Sequence, residues 1–337
     1  MQKILTIAIS AYNKEKYLYR CVKSLICQSI HEIEIIIIND GSTDETSKIA
    51  HELEKDYPQS IIVVDKQNGH QGSCINKAIE LAGGKYFKML DADDYFSTDV
   101  LEYCIHKLRN INVDMVITGH VINSSSPVSI SPININENII YDQINTNFSE
   151  LGMFGCIGMH GVAFKTDILK ENHIHLSEHC SFSDAEYCYY PLKYCKTILF
   201  ISKDLYIYET GIEGQESSIK TIKTKDDAYH ICQRMINDYI QYTNETPHVI
   251  KQNKEIILLR CFSEYLSLCL LHFKIDKAEK IRINKLLSLC KKYCPNVLNQ
   301  LLRTHTRKIP FVKIYKHTGK SSYFLFHILN RLYRYIK

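Results

Sequence analysis

An α/β fold, with a doubly wound, mostly parallel sheet followed by a C-terminal helical region, is what this 337-residue sequence predicts. Isoleucine- and valine-rich runs alternate with segments of helical spacing through the first third of the chain. These runs are apolar almost throughout rather than at every second position, the mark of strands covered on both faces. Each ends in small and polar residues, on the side where open α/β sheets place their ligands.

Ile4 to Ser10 reads as the first strand. Asn13 to Gln28 follows as a helix, with Tyr17, Leu18, Cys21, Val22, Leu25 and Ile26 at helical spacing. Glu34 to Ile38 is the second strand, and Thr43 or Asp44 caps the helix that carries Ile49, Ala50 and Leu53. Ile61 to Val64, a helix over Ser73 to Leu81 and a strand over Lys85 to Leu90 complete a β-α-β-α-β-α-β order. Right-handed crossovers then bring Ser10 to Asn13, Asn39 to Gly41 and Asp91 to Asp94 to one rim.

Ile122 to Ser149 turns to Ser, Asn, Ile and Pro without periodicity and reads as a loop-rich insertion. Strands are expected again at Gly161 to Phe164 and Ile198 to Tyr208. Helices are expected over Ala228 to Tyr242, Lys254 to Phe273, Lys277 to Tyr293, Val297 to Thr304 and Ser321 to Lys337. The expected division is 1–115, 116–224 and 225–337.

Composition narrows the class. With 45% apolar residues the chain can bury a sizeable core. Its thirteen cysteines are odd in number and lack a C-x-x-C pair, so reduced thiols in a cytoplasmic protein are expected rather than a disulfide framework. The N-terminal apolar run is interrupted too soon for a secretory signal, and no apolar run is long enough to span a membrane. The net charge of +4 is a property of the tail. From Lys280 to Lys337 there are 14 basic and no acidic residues, leaving the remainder strongly acidic.

Asp91, Asp93 and Asp94 crowd three carboxylates just after a buried strand, where a cation offsets their repulsion. A hard divalent ion takes such oxygens and completes its shell with phosphate. Solvated loop aspartates and a helix cap are the plainer alternative. Asp40 precedes Gly41 in a tight turn and is either an acceptor for a base or ribose or an ordinary turn residue. Asn68 to Ser73 is a glycine-bearing loop before a helix, suited to bringing N–H groups toward phosphate.

These segments together resemble the family 2 glycosyltransferases with the GT-A fold. The resemblance rests on Thr6 to Asn13, Glu34 to Asp44, Asn68 to Ala78 with Asn76, and Leu90-Asp91-Ala92-Asp93-Asp94. It implies a nucleotide-sugar donor, a uridine diphosphate (UDP) sugar or a related one, and a divalent metal, Mn or Mg. Ser10, Tyr12 and Asp40 would lie near the nucleoside with His70, Asn76 within the donor segment, Asp91 near the ribose and Asp93 on the metal. It further implies an inverting hexosyltransferase of the bacterial surface-polysaccharide type. In Phe182 to Tyr187, Asp184 is the expected general base, opening a helix under the acceptor, with Glu186 as rival and a simple N-cap as the plain alternative.

Tyr208 to Ser218 is similar to a loop that closes over the diphosphate in relatives, but Ile212 stands where an arginine is expected. His160 is either an acceptor-pocket residue or a satisfied half-buried histidine. His173, His175, His179 and Cys180 fit no standard zinc spacing. Tyr323 to Lys337 is aromatic and basic, fitting an interfacial helix on the inner face of an anionic membrane, or a helix packed on the protein; no nucleic-acid-binding motif is present. A glycan or lipid-linked glycan is the expected acceptor. Two other classes remain: a non-catalytic nucleotide-sugar-binding partner of a transferase, and a haloacid-dehalogenase-type phosphotransferase. The latter requires D-x-D after the first strand, where this chain has Ser10-Ala11-Tyr12-Asn13.

Overall fold

The computed structural model describes residues 3–325 and 327, apart from 134, 153–154, 213–220, 243–245 and 307–308. The chain divides into two compact units, Met1–Gln215 and Glu216–Lys337.

The first unit opens with β1 (Leu5–Ala11), α1 (Leu18–Lys23), β2 (Ile33–Asn39), α2 (Thr46–Asp56), β3 (Ile61–Asp65), α3 (His70–Leu81) and β4 (Tyr86–Asp91). Next come β5 (Tyr95–Phe96), α4 (Thr98–Leu108), β6 (Met115–Asn123), β7 (Val128–Ile130), β8 (Tyr141–Asp142), β9 (Val162–Lys165), α5 (Thr166–Glu171), α6 (Ser183–Tyr189) and β10 (Thr197–Glu209). The sheet order is β3-β2-β1-β4-β9-β6-β10-β5, with β7 on β6 and β8 on β10. β1 pairs in parallel with both β2 and β4, and β2 with β3. β9 is antiparallel to both β4 and β6. The first four strands thus carry the expected parallel, doubly wound half, and β9 joins it to a mixed half.

Burial explains the isoleucine runs: Ile7, Ile9 and Ile35 to Ile38 are wholly inaccessible, because helices cover both faces of the sheet. No disulfide links the thirteen cysteines, eleven of which are buried.

Several elements differ from the periodicity, among them α5 and the short β7 and β8 within the expected insertion. α1 is much shorter than Asn13 to Gln28, because the backbone from Asn13 to Glu15 bonds the loop after β2 instead of turning into helix. After its last turn, Ser24 Oγ donates to the Cys21 carbonyl and accepts from Phe96 N–H, which ends the helix and ties it to β5. β6 was not expected, since Thr118, Gly119 and His120 interrupt its apolar run, yet it lies inside the sheet between β9 and β10. Thr118 is held by distant chain, its Oγ1 donating to the Gly161 carbonyl. Finally, the second unit contains a helix at Phe311–Thr318, between the helices that the periodicity predicts.

The second unit is helical: α7 (Ile222–Tyr239), α8 (His248–Ser267), α9 (Lys277–Tyr293), α10 (Pro295–Arg303) and α11 (Phe311–Thr318). α8 continues as a π-turn over Leu268–His272. Asp276 caps α9 by accepting from Glu279 N–H at 2.8 Å, and the buried Glu279 carboxylate accepts from Tyr265 at 2.5 Å. Among the described residues no helix is long and apolar enough to cross a membrane. Of the basic tail, residues 326 and 328–337 lie outside the described residues.

Candidate active site

Strand register builds one rim from distant sequence. Ser10 is level with Ile38 on one side and Asp91 on the other, and Asn39 is level with Asp65. The loop after β1 is stitched to the loop after β2: Asn13 N–H donates to Ser42 Oγ, and Asn13 Oδ1 accepts from Thr43 N–H at 2.8 Å. Asn13 has φ 53°, and His70, His179 and Phe182 are also left-handed, at 62°, 58° and 68°. Such backbone persists only where surrounding bonds over-determine it. Tyr12 stands on this rim with 48% of its surface exposed, beside the half-buried Ser10.

Asp40 is buried. Its Oδ1 accepts from Lys66 Nζ at 2.6 Å and from Gly69 N–H at 2.9 Å, folding the Asn68–Gly69 loop over the end of β2. Gly41, at φ 73°, makes this turn, and a Cβ there would meet Asn68 N at 3.0 Å. Lys66 also donates to Ser73 Oγ at 2.8 Å, anchoring the first turn of α3, on which His70 lies.

Asp91, Asp93 and Asp94 bring one carboxylate oxygen each within 4.8 Å of the others. Asp91 Oδ1 accepts from Gln71 Nε2 at 2.6 Å, and Asp93 Oδ2 pairs with Lys14 Nζ at 2.6 Å. Arg20 donates to the Asp93 carbonyl at 2.8 Å. Asp94 is not the cap of α4, whose N-cap position is Ser97. Its Oδ2 accepts from the Tyr206 hydroxyl at 2.6 Å and its Oδ1 from Glu209 N–H at 2.8 Å, clamping the end of β10 to the end of β4. Burial, then the neighbouring carboxylates, push Asp91 well above the usual carboxylate range; burial carries Asp94 up to about 7. A crowded set of hard oxygen donors that resists ionisation is one that a divalent cation relieves, so these residues fit such an ion.

Asp184 lies in the first turn of α6, and its charge is among those that raise Asp91. Its helix comes from the second half of the unit and packs against α3. The close fit depends on Gly72, since a Cβ there would fall 2.0 Å from the Ser177 carbonyl oxygen and 3.1 Å from Ser183 Cβ. Glu186, the rival, is wholly buried and accepts from Ser177 N–H at 2.5 Å and from Tyr190 at 3.2 Å. It holds the loop that abuts Gly72. Asn76, expected among the donor contacts, instead bonds the same loop: its amide donates to the Leu176 carbonyl at 3.0 Å and accepts from Leu176 N–H at 2.9 Å.

His160 packs against Tyr208 at 4.8 Å, Tyr206 at 4.7 Å and His120 at 5.3 Å between ring centroids. Of the Tyr208 to Ser218 loop, residues 213–218 lie outside the described residues. Lys14, Arg20, Lys66, Gln71, Tyr206 and Glu209 join the site without a sequence motif of their own. Each acts through a contact with a remote strand end, and a lysine or tyrosine in a loop or strand carries no local signal of that.

The family model described as glycosyl transferase family 2 matches residues 6–171. The chain is 39% identical over 106 residues to the chondroitin synthase of Escherichia coli, a stretch covering 32% of this chain and 15% of that protein. Across the first curated relatives the match spans well under half of their length, from 13% to 40%. In three dimensions it is similar to residues 1–349 of Staphylococcus aureus TarS, solved in complex with UDP-GlcNAc, at TM-score 0.66 and 18% identity over 94% of this chain and 92% of that one. It is also similar to the mannosyltransferase PcManGT from Pyrobaculum calidifontis, solved with GDP-Man and Mn2+, at TM-score 0.52 and 13% identity, covering 88% of this chain and 84% of that one.

Proposed function

This chain carries a family 2 glycosyltransferase domain built on the GT-A fold, and from that premise we propose that it is an inverting hexosyltransferase using a nucleotide diphosphate sugar. The observation that carries the reading is the Asp91–Asp94 cluster, whose three carboxylates come within 4.8 Å of one another beside the rim formed by β1, β2 and β4. Tyr12, Ser10 and His70 border the nucleoside, with Asp40 shaping its loop. Asp91 takes the ribose and Asp93 the metal, Mn2+ or Mg2+, which supplies charge stabilisation for the leaving diphosphate. Asn76 serves by holding the loop before Asp184.

In the proposed step Asp184 removes the proton from an acceptor hydroxyl as that oxygen attacks the anomeric carbon. The new C–O bond forms on the face opposite the breaking bond, and the nucleoside diphosphate leaves with its electron pair. UDP is the proposed nucleotide. The acceptor is a growing surface glycan, linked to lipid on the inner face of the membrane, with the basic tail resting on anionic headgroups. Residues 1–115 form the donor half, 116–224 the acceptor half and 225–337 the tail-bearing helical region.

The test is a panel of UDP- and GDP-hexoses with Mn2+, Mg2+ or chelator, read as nucleotide release with and without glycan acceptors. Metal-dependent release that chelator abolishes is the expected result. Binding of a nucleotide sugar without turnover under any condition would leave a non-catalytic binding protein and overturn the proposal.

A further inference from the structure

The carboxylate proposed to hold the metal is already held by a positive charge of the protein's own. Lys14 Nζ lies 2.6 Å from Asp93 Oδ2, with 17% and 11% of the two side chains exposed. The lysine is aimed there by its backbone. Its N–H donates to Thr46 Oγ1 at 2.7 Å, and the left-handed Asn13 before it is bonded to Ser42 and Thr43. Asp94 spends both oxygens on Tyr206 and Glu209, and Asp91 accepts from the neutral amide of Gln71. Asp93 is thus the member of the cluster whose carboxylate meets a full positive charge.

An ammonium and a divalent cation compete for the same Asp93 oxygen. We propose that Lys14 is a built-in counter-ion that occupies Asp93 in the donor-free protein and is displaced by the metal with its nucleotide diphosphate, so that the metal binds tightly only alongside the nucleotide. This rests on the nucleotide-sugar reading above. Without the ammonium, a mostly buried carboxylate in an acidic cluster is left uncompensated, and a cation from solution gains what Lys14 no longer supplies. The diphosphate shifts the competition in two ways: it gives the metal further oxygen ligands, and it gives the released ammonium another anion. Metal and nucleotide then raise one another's affinity by an equal factor. The consequence is a site that does not retain metal between turnovers.

The experiment is Mn2+ binding to the full chain, followed by the electron paramagnetic resonance signal of free Mn2+, with and without UDP, for wild type, Lys14→Met and Lys14→Arg. Circular dichroism reports the fold, and Lys14→Gln replaces Lys14→Met should the latter not fold. Wild type is expected to bind Mn2+ at least about tenfold more tightly with UDP. Lys14→Met should bind Mn2+ several-fold more tightly than wild type without UDP and show a smaller enhancement on adding it; Lys14→Arg, which keeps the charge, should resemble wild type. Equal nucleotide-free affinities for wild type and Lys14→Met, or an unchanged enhancement, would overturn the counter-ion role while leaving the donor site intact. If wild type shows no nucleotide-dependent Mn2+ binding with either UDP or GDP, the donor-site reading itself fails, and the counter-ion role with it.

Discussion

The Tyr206 hydroxyl donates to Asp94 Oδ2 at 2.6 Å and accepts from Asp91 N–H at 3.2 Å, so one side chain from β10 holds both ends of the acidic turn after β4. Tyr206 is wholly buried, packed against Phe96 and His160. A turn that presents three carboxylates is therefore braced from the opposite half of the unit, which keeps their spacing from relaxing under mutual repulsion.

Tyr206→Phe removes this brace without removing the ring. Leaving Asp94 and the Asp91 amide short of a buried partner should lower stability by about 1–3 kcal/mol. Urea unfolding measures this, and Mn2+ titration in the presence of UDP should show weaker metal binding. Unchanged values in both would show that the brace carries no weight.

Asp184→Asn should leave nucleotide-sugar affinity near that of wild type and lower kcat by roughly 10²–10⁴-fold, the contribution of a positioned general base. Steady-state rates beside calorimetric donor binding separate the two quantities. Full turnover with intact binding removes Asp184 from that role. Glu186→Gln, at a buried residue bonded to Ser177, should instead show itself in lower thermal stability.

Gly72→Ala places a methyl group where the Ser177 carbonyl oxygen stands, 2.0 Å away, so α3 and the loop before α6 must part. Overpacking of this kind costs roughly 1–3 kcal/mol. Because Asp184 moves relative to the acidic cluster, kcat should fall more than donor affinity does. A variant with wild-type melting temperature and kcat would show that the approach is not required.

Lys88 offers a pH test. Its ammonium is buried in β4 and donates to the carbonyls of His160 at 2.8 Å and Val162 at 3.2 Å, and burial pulls it from 10.5 down to about 7. Between those two values the unfolded chain keeps a proton that the folded chain has released, so stability gained from this group rises with pH. Below about 7 both states are protonated and the full burial penalty applies. Comparing wild type with Lys88→Met by chemical unfolding at pH 6.5, 8 and 9.5 should show the difference moving in favour of wild type, by up to about 1.4 kcal/mol per pH unit. A pH-independent difference would mean that Lys88 ionises as an exposed lysine does.

The sequence by itself determined the first four strands and their crossovers, because Ile35 to Ile38 and the runs like it cannot be covered on both faces in any simpler way. It likewise determined that Ser10, Asp40 and Asp91 share a rim, since parallel strands end on one side. Tertiary structure alone decided what each carboxylate does there. Asp93 and Asp94 are adjacent and chemically identical, yet one meets Lys14 from the loop after β1 and the other Tyr206 from β10. Asp184 and Glu186 share a single helical turn, but Glu186 is closed in by Ser177 while Asp184 bears on the acidic cluster. The three carboxylates of the acidic cluster thus have three different partners. The reason is that a local pattern records which groups a segment carries, whereas a buried group's partner is set by whichever distant element packs against it.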